Sequence, residues 1–185
     1  MTPAGQRPTT VRLLLEGPPG IGKSTVARRL IERCLDAGVA VHGFTTDEIR
    51  ERGRRVGFEV VPAAGGAGVT LAHVDLPGPP RVGRYGVDLA AFEAVAPDLL
   101  HPPSAPALVI VDELGSMELA SNSFCRAVED LLATDTPVIA TVHTKPHEFT
   151  DALRRRPDVE LLEVTRDNRD RLPVDLVARL LARTP

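Results

Sequence analysis

The sequence predicts an α/β domain built on a mainly parallel sheet. Short apolar runs alternate with stretches of helical periodicity along nearly the whole chain, the order that gives strands joined by crossover helices. Two of the runs, the continuously apolar Ala107 to Val111 and the mostly apolar Pro137 to Val142, read as central strands covered on both faces. A further run, Val11 to Leu15, ends in a glycine-rich turn that leads straight into a helix.

Taken in order, Val11 to Leu15 is a buried strand ending at the Gly/Pro cluster Gly17–Gly20. In Lys23 to Ala37, Val26, Leu30 and Cys34 recur every four residues, as do Ala27, Ile31 and Leu35; this is a helix with a broad apolar face, stopped by Gly38. Val39 to Thr45 is a second strand. The segment from Thr46 to Pro106 is too long for one crossover. Within it Arg55 to Val61 alternates, with Val56, Phe58 and Val60 on one face, and Val69 to Val74 alternates more weakly. With Gly65-Gly66 between them, they form an antiparallel hairpin added to the sheet, within an insertion spanning about residues 46–87. Pro77 to Pro80 is a loop. Asp88 to Leu100 is one helix with Asp88 as N-cap, and Pro97, late in it, is placed to bend or shorten it. Then follow the helix Ser121 to Ala133, the strand Pro137 to Val142, a short helix Phe149 to Arg155, the strand Val159 to Val164 and the helix Val174 to Ala182.

The 185 residues fit one domain over residues 11–185, with residues 1–10 as a flexible tail. Aromatics are only 3% of the chain, Trp is absent and the formal net charge is −3, so neither a base-stacking platform nor a basic field for nucleic acid is present. Cys34 and Cys125 fall in apolar helical patterns and suit reduced, buried thiols. No apolar run is long enough for a membrane span and no signal pattern opens the chain, so a cytoplasmic monomer without a membrane partner is the expectation.

The stretch Gly17-Pro18-Pro19-Gly20-Ile21-Gly22-Lys23-Ser24 matches the G-x-x-x-x-G-K-[ST] pattern in full, with Thr25 next. Glycines let backbone N–H groups turn inward to cradle phosphate oxygens, and the following helix presents its N-terminus to the same anion. Lys23 is placed for the outer phosphates and Ser24 for Mg²⁺. Such patterns occur by accident, but here an apolar strand precedes and an amphipathic helix follows. The expected fold is therefore the P-loop three-layer sandwich.

Leu108-Val109-Ile110-Val111-Asp112-Glu113-Leu114-Gly115 is an apolar strand ending in two carboxylates. At the carboxyl end of a parallel sheet, Asp112 would lie beside the phosphate loop as a Mg²⁺ ligand. Glu113 would orient or deprotonate a water. His143 follows another buried strand and could meet the same edge, whereas His42, His73, His101 and His147 show no metal-ligand spacing. A positive charge would offset charge on a moving phosphoryl group; Arg54, Arg55, Arg81 and Arg84 are the candidates, with Arg81 and Arg54 put forward. Asn168-Arg169, after the last strand, is a candidate base contact. The run Arg154-Arg155-Arg156 is a helix end.

These residues together resemble the small nucleoside-triphosphatases of the cancer-related and thermophile type. The resemblance runs from about Val11 to Leu181. It includes Gly43-Phe44-Thr45-Thr46-Asp47-Glu48-Ile49-Arg50, Gly53-Arg54-Arg55-Val56-Gly57-Phe58 and Arg81-Val82-Gly83-Arg84-Tyr85-Gly86-Val87-Asp88. Asp112-Glu113-Leu114-Gly115-Ser116-Met117-Glu118 and Thr165-Arg166-Asp167-Asn168-Arg169 complete it. The resemblance implies Mg²⁺-dependent hydrolysis of nucleoside triphosphates (ATP, GTP, CTP, UTP) to diphosphate and phosphate with broad base tolerance. Ser24 stands where many relatives have Thr, and Ser116 where some have Lys. The opening Glu16-Gly17-Pro18-Pro19-Gly20 also looks like that of nucleotide kinases. A small-molecule or nucleotide kinase, with residues 53–84 as a lid, is therefore the alternative, and a nucleotide-dependent switch is a third reading.

Overall fold

The computed structural model describes residues 10–102 and 107–182. The tail expected at residues 1–10 lies, apart from Thr10, outside the described residues. The strands are β1 (Arg12–Glu16), β2 (Ala40–Glu51), β3 (Arg54–Pro62), β4 (Val69–His73), β5 (Arg81–Val82), β6 (Tyr85–Val87), β7 (Ala107–Leu114), β8 (Val138–Val142) and β9 (Glu160–Glu163). The helices are α1 (Lys23–Asp36), α2 (Leu89–Glu93), α3 (Ala96–Leu100), α4 (Asn122–Leu132), α5 (Glu148–Arg154) and α6 (Leu172–Leu181).

The strands form one sheet in the order β5-β6-β4-β3-β2-β7-β8-β1-β9. From β2 to β9 all neighbours are parallel, and from β2 outward to β5 all are antiparallel. Strand alternation divides the core between the two faces. Leu13, Leu15, Leu108 and Ile110 pack with Val26, Leu30 and Leu176 of α1 and α6. Leu14, Val109 and Val111 face the other way, onto Phe92, Leu100, Phe124 and Leu153 from α2 to α5. Three rings sit at the centre of that second layer: Phe44 meets Phe92 edge-on at 6.0 Å, and Phe92 and Phe124 are 5.0 Å apart. This is the expected three-layer sandwich, and the β3–β4 hairpin is the expected addition to its sheet.

Three features differ from the sequence expectation. β2 runs on to Glu51 instead of stopping at Thr45, because its charged second half pairs with β3 as the first half pairs with β7. The small β5–β6 hairpin turns through Gly83 and was hidden by its brevity. The helix expected from Asp88 to Leu100 is two. Asp88 does cap the first, accepting the Ala91 N–H at 2.9 Å. Pro97 in an unbroken helix would meet the Glu93 carbonyl; the chain instead breaks after Ala94 and puts Pro97 in the first turn of α3, where its missing N–H costs nothing.

Candidate active site

The carboxyl ends of β1, β7 and β8 converge, because all three are parallel neighbours across the sheet. From β1 the chain turns through Gly17–Gly22 into α1. Gly22 caps that helix at φ 114°, a left-handed conformation that a side chain would strain. Lys23, only 6% exposed, donates to the Gly17 carbonyl at 2.9 Å. That bond folds the lysine back across its own loop, and its Nζ stands 3.5 Å from Glu113 Oε1.

Asp112, at the end of the buried part of β7, is 1% exposed. Its Oδ1 accepts from Ser24 at 3.2 Å and from Thr141 of β8 at 2.6 Å. Its Oδ2 is buried and has no hydrogen-bond partner. Burial pushes the Asp112 carboxyl up, and the two hydroxyl bonds only partly oppose this. A buried carboxylate oxygen left unpaired beside a serine hydroxyl is a poor arrangement for an isolated protein and a good one for a hard cation. The donor set therefore fits Mg²⁺, with Ser24 and Asp112 as the residues that would hold it.

Glu113 sits differently. Its Oε2 is 2.8 Å from His143 Nε2 and its Oε1 faces Lys23. Burial alone would raise its pKa, but the His143 bond and the charges of His143 and Lys23 outweigh that and hold it below the usual carboxylate value. Two adjacent carboxyls are thus driven apart, Asp112 upward and Glu113 downward, and Glu113 is the ionised, half-open one. His143 is anchored in turn: Arg154 of α5 donates to its carbonyl and, through Nε, to Glu16 at 2.8 Å. Behind the pair, the Thr46 hydroxyl donates to the Asp112 carbonyl at 2.7 Å and has Glu118 Oε1 3.4 Å away. Glu118 is 4% exposed; burial, reinforced by the charges of Glu113 and Asp112, raises its pKa to about 8.

These groups open into a cavity of about 950 Å³. Pro19, Gly20, Gly22, Lys23, Ser24 and Thr25 line one side, and Asp112, Glu113, Gly115 and His143 its floor. Gly17, Pro18 and Ile21 belong to the loop without lining the cavity, and Leu108–Val111 and Leu114 are buried in the core. Asn168 fastens its own loop, accepting from Thr165 N and donating to Glu163 O, both at 2.8 Å. Arg169 donates to the Ile21 carbonyl at 3.0 Å and borders a second recess of about 240 Å³ with Gly22, Thr25 and Arg29. Arg54 and Arg81 are not among the described residues lining the main cavity; Arg81 is spent on the carbonyls of Leu76, at 3.1 Å, and Arg84, at 2.6 Å. Arg28 and Arg55 line it instead. Thr141 was missed although its signal was visible, a lone hydroxyl inside the buried run Val138–Val142.

The sequence pattern of the family described as NTPase matches residues 12–177. The chain is 41% identical over 182 residues to the mouse cancer-related nucleoside-triphosphatase homolog, covering 90% of this chain and 94% of that protein. It is 39% identical over 173 residues to the nucleoside-triphosphatase THEP1 of Methanosarcina acetivorans, covering 92% and 97%. Among solved structures, that of a human cancer-related nucleoside triphosphatase superposes with TM-score 0.82 at 37% identity, over 95% of this chain and 100% of that one. THEP1 from Aquifex aeolicus gives 0.81 at 29%, over 92% and 99%. With a phosphate loop, a buried acidic pair and this likeness over nearly its full length, the chain belongs to the nucleoside-triphosphatase family.

Proposed function

We propose that this nucleoside-triphosphatase hydrolyses the terminal phosphoanhydride of nucleoside triphosphates in a Mg²⁺-dependent reaction, giving diphosphate and inorganic phosphate. The observation that carries the reading is the contrast within one dipeptide: Asp112 buried with Oδ2 unpaired beside Ser24, and Glu113 ionised between Lys23 and His143. The loop amides and Lys23 bind the phosphates. Bound Mg²⁺ would neutralise charge on the outer phosphates. Glu113 orients a water and accepts its proton as the water oxygen bonds to the γ-phosphorus. The bond from that phosphorus to the bridging oxygen breaks, and its electron pair leaves with the diphosphate. His143 holds the Glu113 carboxylate in position. The recess beside Arg169 takes the base; it offers the guanidinium planes of Arg29 and Arg169, which stack on any base.

A cytoplasmic monomer acting on free nucleotides, without nucleic acid, completes the reading. It is supported by the formal net charge of −3 and by two free cysteines. No helix among the described residues is long and apolar enough to cross a membrane.

The test is phosphate release from ATP, GTP, CTP and UTP with Mg²⁺ and no acceptor. Release from all four supports the hydrolase. Nucleotide consumption only when nucleosides or monophosphates are added would replace it with the kinase. For the metal, Asp112→Asn should abolish the extra thermal stabilisation that Mg²⁺ adds to bound ADP, a readout independent of turnover.

A further inference from the structure

The cavity has a wall that the hydrolytic groups leave unused. It is formed by the antiparallel strands, and the cation it presents is Arg55 of β3. In β3, Gly57 pairs with Ile49 but Arg55 pairs with Arg50, so Val56 is the extra residue of a bulge. One extra residue reverses strand alternation, and bulges commonly re-aim a side chain beside a site. Here Arg55 and Phe58 both line the cavity, and the guanidinium carbon lies 5.1 Å from the Phe58 ring centre.

The guanidinium is clamped on two of its three nitrogens. Nε donates to the Tyr85 hydroxyl at 3.1 Å, and Nη1 to Glu48 Oε1 at 2.8 Å. Nη2 has no partner among the described residues. Arg84 donates to the Arg55 carbonyl and lies over the Tyr85 ring at 5.1 Å, which fixes the backbone and the clamp together. A guanidinium with two nitrogens held and the third, Nη2, unspent, on the wall of a phosphate cavity, has met part of the ordering cost of reaching a phosphate oxygen. Arg28, the other arginine on the cavity, is placed otherwise. It follows Ser24 by one helical turn on α1, and its Nη2 is committed to Asp47 and the Thr46 carbonyl.

Resting on the hydrolase reading above, we propose that Arg55 is the cation that offsets charge on the phosphoryl group in the transition state, donating through Nη2, with Glu48 and Tyr85 as its positioning residues. The bonds made and broken remain those given above. Arg55 changes only how well the charge on the equatorial oxygens is borne.

The experiment compares wild type, Arg55→Ala, Arg55→Lys and Arg28→Ala in steady-state phosphate release. It also measures binding of ADP with aluminium fluoride, a mimic of the transferring phosphoryl group, against binding of a non-hydrolysable triphosphate. Arg55→Ala is expected to lower kcat about 10³-fold with KM changed less than about threefold. The same variant should lose most of the affinity for the fluoride complex and keep that for the triphosphate. Arg55→Lys, which supplies a charge without the fork, should recover little. Glu48→Gln and Tyr85→Phe, which loosen the clamp without removing the cation, should each lower kcat about tenfold and leave KM alone. Wild-type kcat and fluoride-complex affinity in a folded Arg55→Ala would overturn the proposal while leaving the hydrolase intact, as would the loss falling on Arg28→Ala. Absence of phosphate release from the wild type would instead strike the hydrolase reading itself.

Discussion

From β2 to β9 the strands are parallel; β1, β7 and β8 at the centre are apolar runs buried on both faces, and they lead to the groups that would act on phosphate: Lys23 after β1, Asp112 and Glu113 on β7, Thr141 and His143 at β8. From β3 to β5 they are antiparallel and short or bulged, and charges stand at their exposed positions, as at Arg55, which pairs with Glu48 of β2. The two regions share β2, whose first half pairs with β7 and whose second half pairs with β3. Rigidity and desolvation are built on the parallel side, where burial can move carboxyl pKa values. Reach across the cavity is built on the antiparallel side, where a bulge can turn one arginine inward. On the proposed reading, the phosphate machinery would need the core, whereas the cation facing it would need only a braced edge.

This contrast can be broken most severely at the seam. Gly43 has φ 91°, and a Cβ there would stand 1.8 Å from the Ile110 carbonyl of β7. Gly43→Ala should cost about 3–5 kcal/mol and leave little folded protein, read by denaturant unfolding. A fully stable variant would mean that the two halves are not held at this contact.

Glu118 sharpens it next, since it lies buried beneath the acidic pair. A carboxyl raised from 4.5 to about 8 favours folding while protonated. Its contribution is therefore complete below pH about 4.5 and is lost as pH rises toward about 8. Glu118→Gln keeps the neutral form, so it should gain up to about 3 kcal/mol at neutral pH and flatten the melting temperature across that window. An unchanged pH profile would show that Glu118 is ionised in the native state.

The smallest effect is expected at the end of the antiparallel insertion. Asp88→Ala removes the cap of α2 and should cost about 1 kcal/mol, with phosphate release unaltered because the cap does not reach the cavity. A large loss of activity would couple the helix to the site more tightly than the contacts indicate.

Legibility in the sequence followed the same division. The central parallel strands β1, β7 and β8 were visible as apolar runs, because burial on both faces demands one, and the phosphate loop and acidic pair were visible because their chemistry needs fixed residue types at fixed spacing. The second half of β2 was not, since Asp47 to Glu51 are charged except for Ile49 and only pairing makes them a strand. Arg55 could not be told from Arg54, because the bulge at Val56 leaves no periodic trace. Arg81 looked equally eligible until its two carbonyl partners were seen. Glu118 carried no signal of its own beyond the family resemblance; its burial is tertiary, with Thr46 of β2 among its neighbours.

The central claim is that one dipeptide divides the work, with Asp112 for the metal and Glu113 for the water. Glu113→Gln tests it most directly, in a paired measurement of Mg²⁺-dependent nucleotide affinity and single-turnover phosphate release. The account predicts unchanged affinity, within about twofold, and a rate reduced about 10²- to 10⁴-fold. Wild-type release from the variant, or affinity lost in step with rate, would contradict it.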